Sequence, residues 1–481
     1  MLDDIIRERL KKRKNLEDAG YDVYPATVKR TAPIAELVKN HTSLARAKKK
    51  LSAVGRIFAI RGQGGVSFID IKDESGGIQI VFRKDNAPSF GVIRDNLDIG
   101  DYIEATGIAF VTKKGEKSID AKEIRVATKA IRPIPSEWYG IADTETRLRK
   151  RYLELMLSAD VRDMFRNKSV FWRTVRDTLL TEGFLEVETP VLEAVPGGAD
   201  AEPFKTHHNA LDIDLTLRIS TELHLKRLMV GGFEKIFEIG RIFRNEGIDA
   251  EHLQDYTAME MYWAYQDYEG LMKFIEKMYK QVIKNTTGGL KTKIGDHTVD
   301  WSKKWPMVDY FTIFEKETGL DLNYATDEQL RAYAKKHDID ADNHPGRGRI
   351  IDAIFKKVRH KLIQPCFLIN PPVEIEPLAK RTEPGSNKVA RFQVVAAGTE
   401  LGKGFSELND PVDQRERFTE QMKLREEGDK EAQQLDEDYV EAMEYGMPPM
   451  AGFGFSERLF SVLMNKPGRE TVFFPTMRPK K

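Results

Sequence analysis

The stretch that decides the fold is FRNEGIDAEHLQDYTAMEMYWAY, residues 243–265. It opens with a polar loop that carries Arg244 and continues into a segment of strict two-residue alternation. Side chains alternate across a strand, so one face is predicted to present Tyr256, Glu260 and Tyr262, and the other bulky apolar residues. Arginine binds anions, whereas a carboxylate beside a phenol suits a cation. The segment therefore predicts a ligand that bears both charges, or two ligands.

The composition excludes several broad classes of protein. The chain has 481 residues, enough for two or three domains, and 76 Lys or Arg balance 76 Asp or Glu. Residues 1–60 contain 14 basic and 7 acidic residues, which suits nucleic acid but is also typical of a solvated basic helix. A single cysteine, Cys366, excludes an internal disulfide framework. Without a long apolar run or a signal-peptide core, we expect a cytoplasmic protein that is not in a membrane.

The first part of the chain is predicted to be a basic helical extension over 1–50, followed by a β-rich domain over 51–140. VSFIDIKD and IQIVF flank a hairpin signal at 74–77, and the runs after residue 101 add further strands. A set of about five short strands predicts a small closed β-barrel.

One face of this predicted barrel has the composition of a surface that binds single-stranded nucleic acid. Phe68 has the opposite parity to Ile69 and Ile71, so we expect an exposed ring with Arg61 and Gln79 nearby. Aromatic stacking with cationic groups holds single-stranded bases. The alternative is that Phe68 lies in the core and a bulge shifts the parity.

The rest of the chain, residues 141–481, is predicted to be a second, α+β domain. A helix is expected through residues 161–179, and 235–243 with 256–265 as an antiparallel pair. Residues 267–345 read as a helical insertion outside the core. Strands return at 366–369 and 392–408, and a glycine-rich turn is expected to lead into a helix near residue 456.

Three features of this domain are typical of a phosphate site. The first is the loop with Arg244 and Glu246, although a surface ion pair is the commoner explanation of such a pair. The second is GFGFSERLFSVL (452–463), in which Arg458 falls in the first turn of the predicted helix. The third is GTELGKGFSELND (398–410), where Glu400 could ligate Mg²⁺ on phosphate oxygens, unless the segment is a polar edge strand.

A candidate site for a cation, here called the ammonium cage, consists of Glu260, Tyr262 and Glu407. Lys403, Phe405 and Glu407 are expected to share one strand face at two-residue spacing. Two carboxylates close together repel each other unless a cation lies between them. Glu222 is a further acid, but it could equally be a helix N-terminal residue.

Taken together, these segments resemble class II aminoacyl-tRNA synthetases, and within them the lysyl group. GFLEVETPVL (183–192) is similar to motif 1, FRNEG with 256–262 to motif 2, and GFGFSERL to motif 3. PGGA (196–199), HHNALD (207–212) and GFSELND (404–410) carry the resemblance to the lysyl group. The resemblance implies an OB-fold barrel, a mainly antiparallel catalytic sheet flanked by helices, and a homodimer that uses ATP, Mg²⁺, L-lysine and tRNA(Lys).

The resemblance also implies roles for individual residues. On the nucleotide side it implies ATP binding and catalysis by Arg244, Glu246 and Arg458, adenine and further ATP contacts by Tyr256 and His252, and Mg²⁺ ligation by Glu400 and Glu407. On the lysine side it implies amino-acid contacts by Gly198, Glu222, Arg244, Glu260, Tyr262, Lys403, Phe405 and Glu407. In the barrel it implies anticodon contacts by Arg61, Phe68, Gln79 and Glu123.

Several positions depart from the pattern of the family, and HLQDYT (252–257) stands where His-Asn-Pro-Glu-Phe-Thr is common. Lys403 stands where asparagine is usual, and Gln393 where a metal-associated glutamate is common. These departures keep two alternatives open, a tRNA-binding paralogue without catalysis and a ligase that modifies a lysine of another protein. The retained Arg244, Glu400 and Arg458 disfavour the first alternative, and the barrel disfavours the second.

Overall fold

The computed structural model describes residues 2–135, 143–245, 247, 253–340, 346–429 and 431–479. The chain divides into two compact units, residues 1–142 (the barrel unit) and residues 143–481 (the large unit). Within the described ranges, no helix is both long and apolar enough to cross a membrane.

The barrel unit begins with helices and continues as a closed five-stranded barrel of order β1-β2-β3-β5-β4. Its elements are α1 (Leu2–Asp18), α2 (Ile34–Lys39), α3 (His41–Ala47), β1 (Lys50–Gln63), β2 (Val66–Lys72), β3 (Gly77–Arg83), α4 (Phe90–Asn96), β4 (Tyr102–Val111) and β5 (Lys117–Thr128). The predicted barrel and its β2–β3 hairpin are confirmed. Leu16 and Leu37 of the first helices are buried in the same apolar core as the strands, so the N-terminal segment forms part of this unit.

The large unit is α+β, as predicted, and contains the remaining elements. Its helices are α5 (Thr144–Arg149), α6 (Arg151–Leu157), α7 (Ala159–Thr181), α8 (Glu222–Val230), α9 (Tyr268–Thr287), α10 (Tyr310–Thr318), α11 (Asp327–Lys336), α12 (Arg347–Arg359), α13 (Pro411–Glu426), α14 (Glu437–Glu444) and α15 (Arg458–Leu463). Its strands are β6 (Leu185–Glu186), β7 (Leu192–Glu193), β8 (Lys205–His208), β9 (Ile213–Leu217), β10 (Lys235–Phe243), β11 (Asp255–Ala264), β12 (Lys291–Ile294), β13 (His297–Asp300), β14 (Met307–Asp309), β15 (Cys366–Ile369), β16 (Arg391–Ala396), β17 (Thr399–Ser406) and β18 (Met450–Ser456).

An eight-stranded sheet of order β14-β15-β16-β17-β18-β11-β10-β6 forms the centre of the large unit. Its pairs are antiparallel except at the two edges, β14 with β15 and β10 with β6. The predicted β10–β11 hairpin is confirmed. Met259 and Met261 are fully buried on one face of β11, in the core that α7 and α9 cover, while Tyr262 packs in a different apolar cluster. The alternation in the sequence therefore places the polar face of β11 away from the main core.

The expectation of a helical insertion over 267–345 is wrong for its first part. Helix α9 buries Leu271, Ile275 and Met278 in the main core, because its apolar residues recur at helical spacing on one face. The hairpin of β12 and β13 follows, and β14 joins the edge of the central sheet. This stretch is therefore mixed in structure and contributes to the core.

The prediction of a glycine-rich turn near residue 452 is also wrong. Gly452 and Gly454 lie inside strand β18, not in a turn, and the helix begins at Arg458 and is six residues long. β18 lies between β17 and β11, so both glycines are in the middle of the sheet. A Cβ atom at Gly452 would lie 2.2 Å from an oxygen of Glu407. Gly452 is therefore explained by the absence of space for a side chain.

A buried ion pair between Arg218 and Glu238 connects strand β10 to two other segments of the large unit. Arg218 Nη1 lies 2.6 Å from Glu238 Oε1, and both side chains are 4% exposed. The other oxygen of Glu238 accepts hydrogen bonds from the backbone N–H and hydroxyl of Thr189. Arg218 also donates to the carbonyl oxygens of Thr189 and Arg241. The pair thus joins the segment after β6, the end of β9 and strand β10.

We expect Glu238→Ala to destabilise the large unit by about 3–5 kcal/mol, because it leaves the guanidinium of Arg218 buried without its counter-charge. Urea unfolding followed by tryptophan fluorescence measures this, since four of the five tryptophans lie in the large unit. Glu186→Ala is the matched control. Its partner is Arg176 and both side chains are at least 32% exposed, so a loss of no more than about 1 kcal/mol is expected. Equal losses for the two variants would contradict the role given to the Arg218–Glu238 pair.

Candidate functional site

The polar face of β11 meets β18 and β17 in two rows of residues that lie directly opposite one another. Glu260 pairs with Gly454, which pairs with Lys403, and Tyr262 pairs with Gly452, which pairs with Phe405. Opposite residues on neighbouring strands share a face. The glycines of β18 leave a gap between the side chains of β11 and those of β17.

Glu260 is held at one side of this gap by short-range donors. Its Oε1 accepts hydrogen bonds from the Ser220 hydroxyl at 2.8 Å and from the Thr221 backbone N–H at 3.3 Å. The Tyr262 hydroxyl donates to its Oε2 at 3.5 Å. Burial, followed by the charge of Glu222, raises the pKa of Glu260 to about 7. The carboxylate is fixed in position and its ionised form gains from a nearby cation.

Glu407 closes the cage just beyond the end of β17. Its side chain is 1% exposed, and within the described residues neither of its oxygens has a hydrogen bond of good geometry, although Oε2 contacts the ammonium of Lys226. Burial raises the pKa of Glu407 well above its usual range, and Lys226 opposes this shift. The structure thus brings Glu260, Tyr262 and Glu407 around Gly452 and Gly454, with acceptor capacity left for a donor.

Glu222 begins helix α8, and Gly198 lies against it. A Cβ at Gly198 would be 2.8 Å from Cβ of Glu222 and 3.0 Å from the Ser220 hydroxyl oxygen. Gly198 also has a φ of +80°, in the left-handed region that favours glycine. The same Ser220 hydroxyl bonds Glu260, so Gly198 and Glu222 adjoin the cage.

Arg244 and Tyr256 lie at the opposite end of β11 from Tyr262. The guanidinium carbon of Arg244 is 5.7 Å from the centre of the Tyr256 ring, and its Nε donates to the carbonyl oxygen of Ile219 at 3.4 Å. Arg244 also acts to lower the pKa of Glu260, so it is within electrostatic reach of the cage. Glu246 and His252 lie outside the described residues.

Glu400, the predicted Mg²⁺ ligand, lies among cations. The Gln393 amide donates to its Oε2 at 2.8 Å, and Arg359 lies 3.5 Å from the same oxygen. Burial acts to raise the pKa of Glu400, but the nearby cations, among them Arg391 and Arg458, outweigh it and lower the pKa. Glu400 is therefore an ionised carboxylate in a region that attracts anions, and the departure at Gln393 supplies it with a hydrogen-bond donor.

Lys403 extends this positive region toward the cage. Its ammonium donates to both oxygens of Glu376, at 3.2 and 3.4 Å, and Arg391 Nε lies 3.1 Å from Glu376 as well. Burial acts to lower the pKa of Lys403, but the carboxylates of Glu376, Glu222 and Glu400 together outweigh it and raise the pKa. A charged lysine therefore stands between the cage and Glu400.

Glu400 and Glu407, both predicted to ligate Mg²⁺, do not lie close enough to each other to share one ion. Seven residues of mostly extended chain separate them, on the order of 20 Å. Glu407 contacts Lys226 instead. Among the residues that the structure describes, no three His, Cys, Asp or Glu side chains form a cluster that could hold a metal ion. Glu400 remains as a single carboxylate, which suffices for Mg²⁺ when phosphates supply further oxygens.

Side chains on strand β2 of the barrel alternate between the core and the outer face, as predicted. Ile69 and Ile71 are fully buried, whereas Phe68 is half-buried and points to the other face of β2. Phe68 lies opposite Arg61 of β1, and Arg61 forms an ion pair with Asp70 at 2.7 Å. Gln79 of β3 lies opposite Asp70, and Glu123 is exposed on β5. The alternative that Phe68 belongs to the core is excluded.

Comparisons with known proteins agree with this geometry. Residues 143–478 match the family described as tRNA synthetases class II (D, K and N), and residues 51–127 match the OB-fold nucleic acid binding domain. The chain belongs to the class II tRNA synthetases. It is 41% identical to the lysine–tRNA ligase of Halalkalibacterium halodurans over 100% of this chain and 98% of that protein. It is 40% identical to the lysine–tRNA ligase of Bacillus subtilis, with the same coverage.

Membership of the class II synthetases confirms the resemblance seen in the sequence, but several residues of the site were missed. Lys226, Glu376 and Arg391 are charged residues buried beside the predicted ones. Lys226 could have been found, because it follows Glu222 by four residues on one helix, the spacing of an ion pair. Glu376 and Arg391 had no such local signal, because Glu376 lies outside the strands and its partners, Arg391 and Lys403, are on β16 and β17.

Gly452→Ala is expected to weaken binding of an ammonium ligand in the cage at least tenfold. The new Cβ would lie 2.2 Å from Oε1 of Glu407 and 2.5 Å from the ring of Tyr262, so both must move. Titration calorimetry with L-lysine measures the effect. Gly454→Ala is the control on the same strand, because its Cβ would approach Glu260 Cγ only to 3.2 Å. An equal or larger loss for Gly454→Ala would contradict the cage geometry.

Proposed function

We propose that this chain is a lysine–tRNA ligase that activates L-lysine with ATP and transfers it to the 3′ end of tRNA(Lys). The observation that carries this function is Glu407, a buried carboxylate without a well-formed hydrogen bond among the described residues, beside Glu260 and Tyr262. Such a cage matches the side-chain ammonium of lysine, which has three donors and no acceptor. The names of the relatives at 40–41% identity over the whole chain support the same reading.

In the first half-reaction, a carboxylate oxygen of lysine attacks the α-phosphorus of ATP. The bond from that phosphorus to the bridging oxygen of the β-phosphate breaks, so lysyl-adenylate forms and pyrophosphate leaves. In the second, the terminal ribose hydroxyl of tRNA attacks the carbonyl carbon and AMP leaves with the bonding pair. Arg244 is assigned to the α-phosphate and the substrate carboxylate, and Arg458 to the distal phosphate. Both arginines stabilise negative charge that grows in the transition state.

We assign the remaining nucleotide contacts by the same resemblance. Tyr256 stacks on adenine beside Arg244, and Glu246 and His252 contact ATP. Glu400 would hold Mg²⁺ together with phosphate oxygens, and the ion when bound neutralises charge on the phosphates. Lys403, held by Glu376, provides a fixed positive charge between the lysine and phosphate subsites. Phe405 forms an apolar wall of the lysine pocket.

Selection of lysine follows from the cost of leaving the cage empty. An uncharged analogue of the same length would leave Glu260 buried without a substrate cation and Glu407 with the ammonium of Lys226 alone. Glu222 and the Gly198 backbone are assigned to the α-amino group, and they adjoin the cage through Ser220. The two ends of the pocket therefore both recognise ammonium groups, at a separation set by the length of lysine.

We further propose a cytoplasmic homodimer. Exposed apolar side chains lie in the segment that resembles motif 1, namely Leu185, Val191 and Leu192, and at the turn between β8 and β9, namely Leu211 and Ile213. A patch of this kind is typical of a protein interface. The single cysteine, Cys366, is buried and free, which fits a reducing compartment.

ATP–pyrophosphate exchange across the amino acids tests the function. Exchange with L-lysine is expected to exceed that with every other amino acid, and best exchange with aspartate or asparagine would contradict the lysine assignment. Glu407→Gln is expected to raise the lysine KM at least tenfold while changing the ATP KM less than threefold, because it removes one charge of the cage. An unchanged lysine KM would remove Glu407 from the pocket.

For the barrel, Phe68→Ala is expected to raise the tRNA KM for aminoacylation about tenfold, because loss of a stacked base costs about 1–3 kcal/mol. Lysine-dependent exchange requires no tRNA and should remain within twofold of wild type. Val111→Ala is the control, since Val111 is an exposed apolar residue, 55% exposed, at the end of β4. Equal loss in both assays would mean that Phe68 supports the fold instead of the nucleic acid.

A further inference from the structure

Lys226 is a charged residue that the proposed reaction does not use, although it lies beneath the amino-acid pocket. It is on helix α8, one turn after Glu222, and its side chain is 0% exposed. Its ammonium donates to Oε1 of Glu222 at 2.7 Å and contacts Oε2 of Glu407. It also lies 5.3 Å from the centre of the Phe405 ring, within the range of a cation–π interaction. One ammonium thus joins a carboxylate from each end of the pocket.

The surroundings of Lys226 keep it charged. Tyr262, Phe405 and Tyr439 belong to the apolar cluster around it. Burial there acts to lower the pKa of Lys226, but Glu222 and Glu407 outweigh it and raise the pKa well above its ordinary value. A lysine with this environment is a permanent cation, and it has no exposed surface through which to contact a substrate.

The charges of the pocket then match those of the amino acid. Glu222, Glu260 and Glu407 carry three negative charges when ionised, and Lys226 supplies one positive charge among them. The remainder is two negative charges, and lysine carries two ammonium groups, with its carboxylate assigned to Arg244. Without Lys226, the same space would hold three carboxylates against two cations, and the third would be protonated.

We propose that Lys226 is an internal counter-ion that positions Glu222 and Glu407 and sets the charge of the pocket to that of lysine. This inference rests on the proposed function. Lys226 is a positioning residue, because it acts through the two carboxylates. Its charge favours the ionised form of Glu407 over the protonated form, and its contact with Oε2 leaves Oε1 of Glu407, which lies against Gly452, for the substrate ammonium.

The test is Lys226→Met in the full chain, assayed by ATP–pyrophosphate exchange with L-lysine at pH 7 and pH 9. We expect the lysine KM at pH 7 to rise at least tenfold relative to wild type, with the ATP KM within twofold. Removal of the cation raises the pKa of Glu407 further, so at pH 7 a larger fraction of Glu407 is protonated in the variant than in wild type, and this excess falls as the pH rises. The ratio of lysine KM values, variant to wild type, should therefore fall at least threefold at pH 9.

Other titratable groups face Lys226 and Glu407, namely Glu222, Glu260, Tyr262, Glu376 and Tyr439. These groups and the substrate amines are present in both proteins, so the comparison uses the ratio at each pH. Lys129→Met is the matched control, because Lys129 is also 0% exposed and contacts the carboxylates of Asp98 and Asp101 in the barrel unit. Its lysine KM should stay within twofold of wild type at both pH values.

Three results would overturn the inference: an unchanged lysine KM, equal rises in the lysine and ATP KM, or a rise that is the same at both pH values. Wild-type protein that shows no exchange with lysine would instead overturn the proposed function. If Lys226→Met does not fold, the double variant Lys226→Met, Glu407→Gln removes both buried charges together. The ratio of its lysine KM to that of wild type should be the same within twofold at pH 7 and pH 9, because the titrating carboxylate of Glu407 is absent, and a threefold fall at pH 9 would overturn the inference.

Discussion

The repulsion among buried carboxylates is the constraint on which the large unit depends. Glu222, Glu260 and Glu407 come from a helix, a strand and the segment just after a second strand, and they meet where water is scarce, so their charges are screened little. Different contacts act on these carboxylates. Ser220 and Thr221 donate to Glu260, Lys226 lies between the other two, and Gly452 leaves room for both the Glu407 carboxylate and the Tyr262 ring. The arrangement gains stability when further cations enter, which is the physical origin of selection for an amino acid with two ammonium groups.

On the side of the site assigned to phosphate, most of the clustered side chains are cationic. Arg359, Arg391 and Lys403 surround Glu400 and Glu376, so the region is positive apart from two fixed carboxylates. Lys403 and Gln393 are directly opposite on neighbouring strands, and each bonds a different one of these carboxylates. The boundary between negative cage and positive channel falls near Lys403 and Arg244. A substrate with an ammonium at one end and a carboxylate at the other is oriented by this change of sign.

The sequence predicted the elements whose side chains repeat with a clear period. The alternation in β11 and β2 gave the correct faces for Met259, Glu260 and Phe68, because burial of one face fixes the register of a strand. The prediction from the sequence was wrong where one local pattern is compatible with two different structures. Glycine is typical of turns, but Gly452 and Gly454 lie in strand β18. There, the missing side chain of Gly452 leaves space for the side chains of Glu407 and Tyr262. The polar residues of 267–345 concealed the apolar stripe that packs α9 into the core. Glu407 was expected to ligate both an ammonium and a metal, since spacing along the chain does not show how far it lies from Glu400.

By itself, the sequence determined the membership of the class II synthetases, the two domains of barrel and antiparallel sheet, and the chemical types of the cage residues. Those properties are local, because they depend on motifs, on alternation and on the kind of side chain at each position. The tertiary structure decided which charges neutralise one another. Lys226 pairs with Glu407 across 181 positions of the chain, and Glu376 pairs with Arg391 and Lys403. Coulomb energies depend on distance and burial in space, and neither can be read from the order of residues.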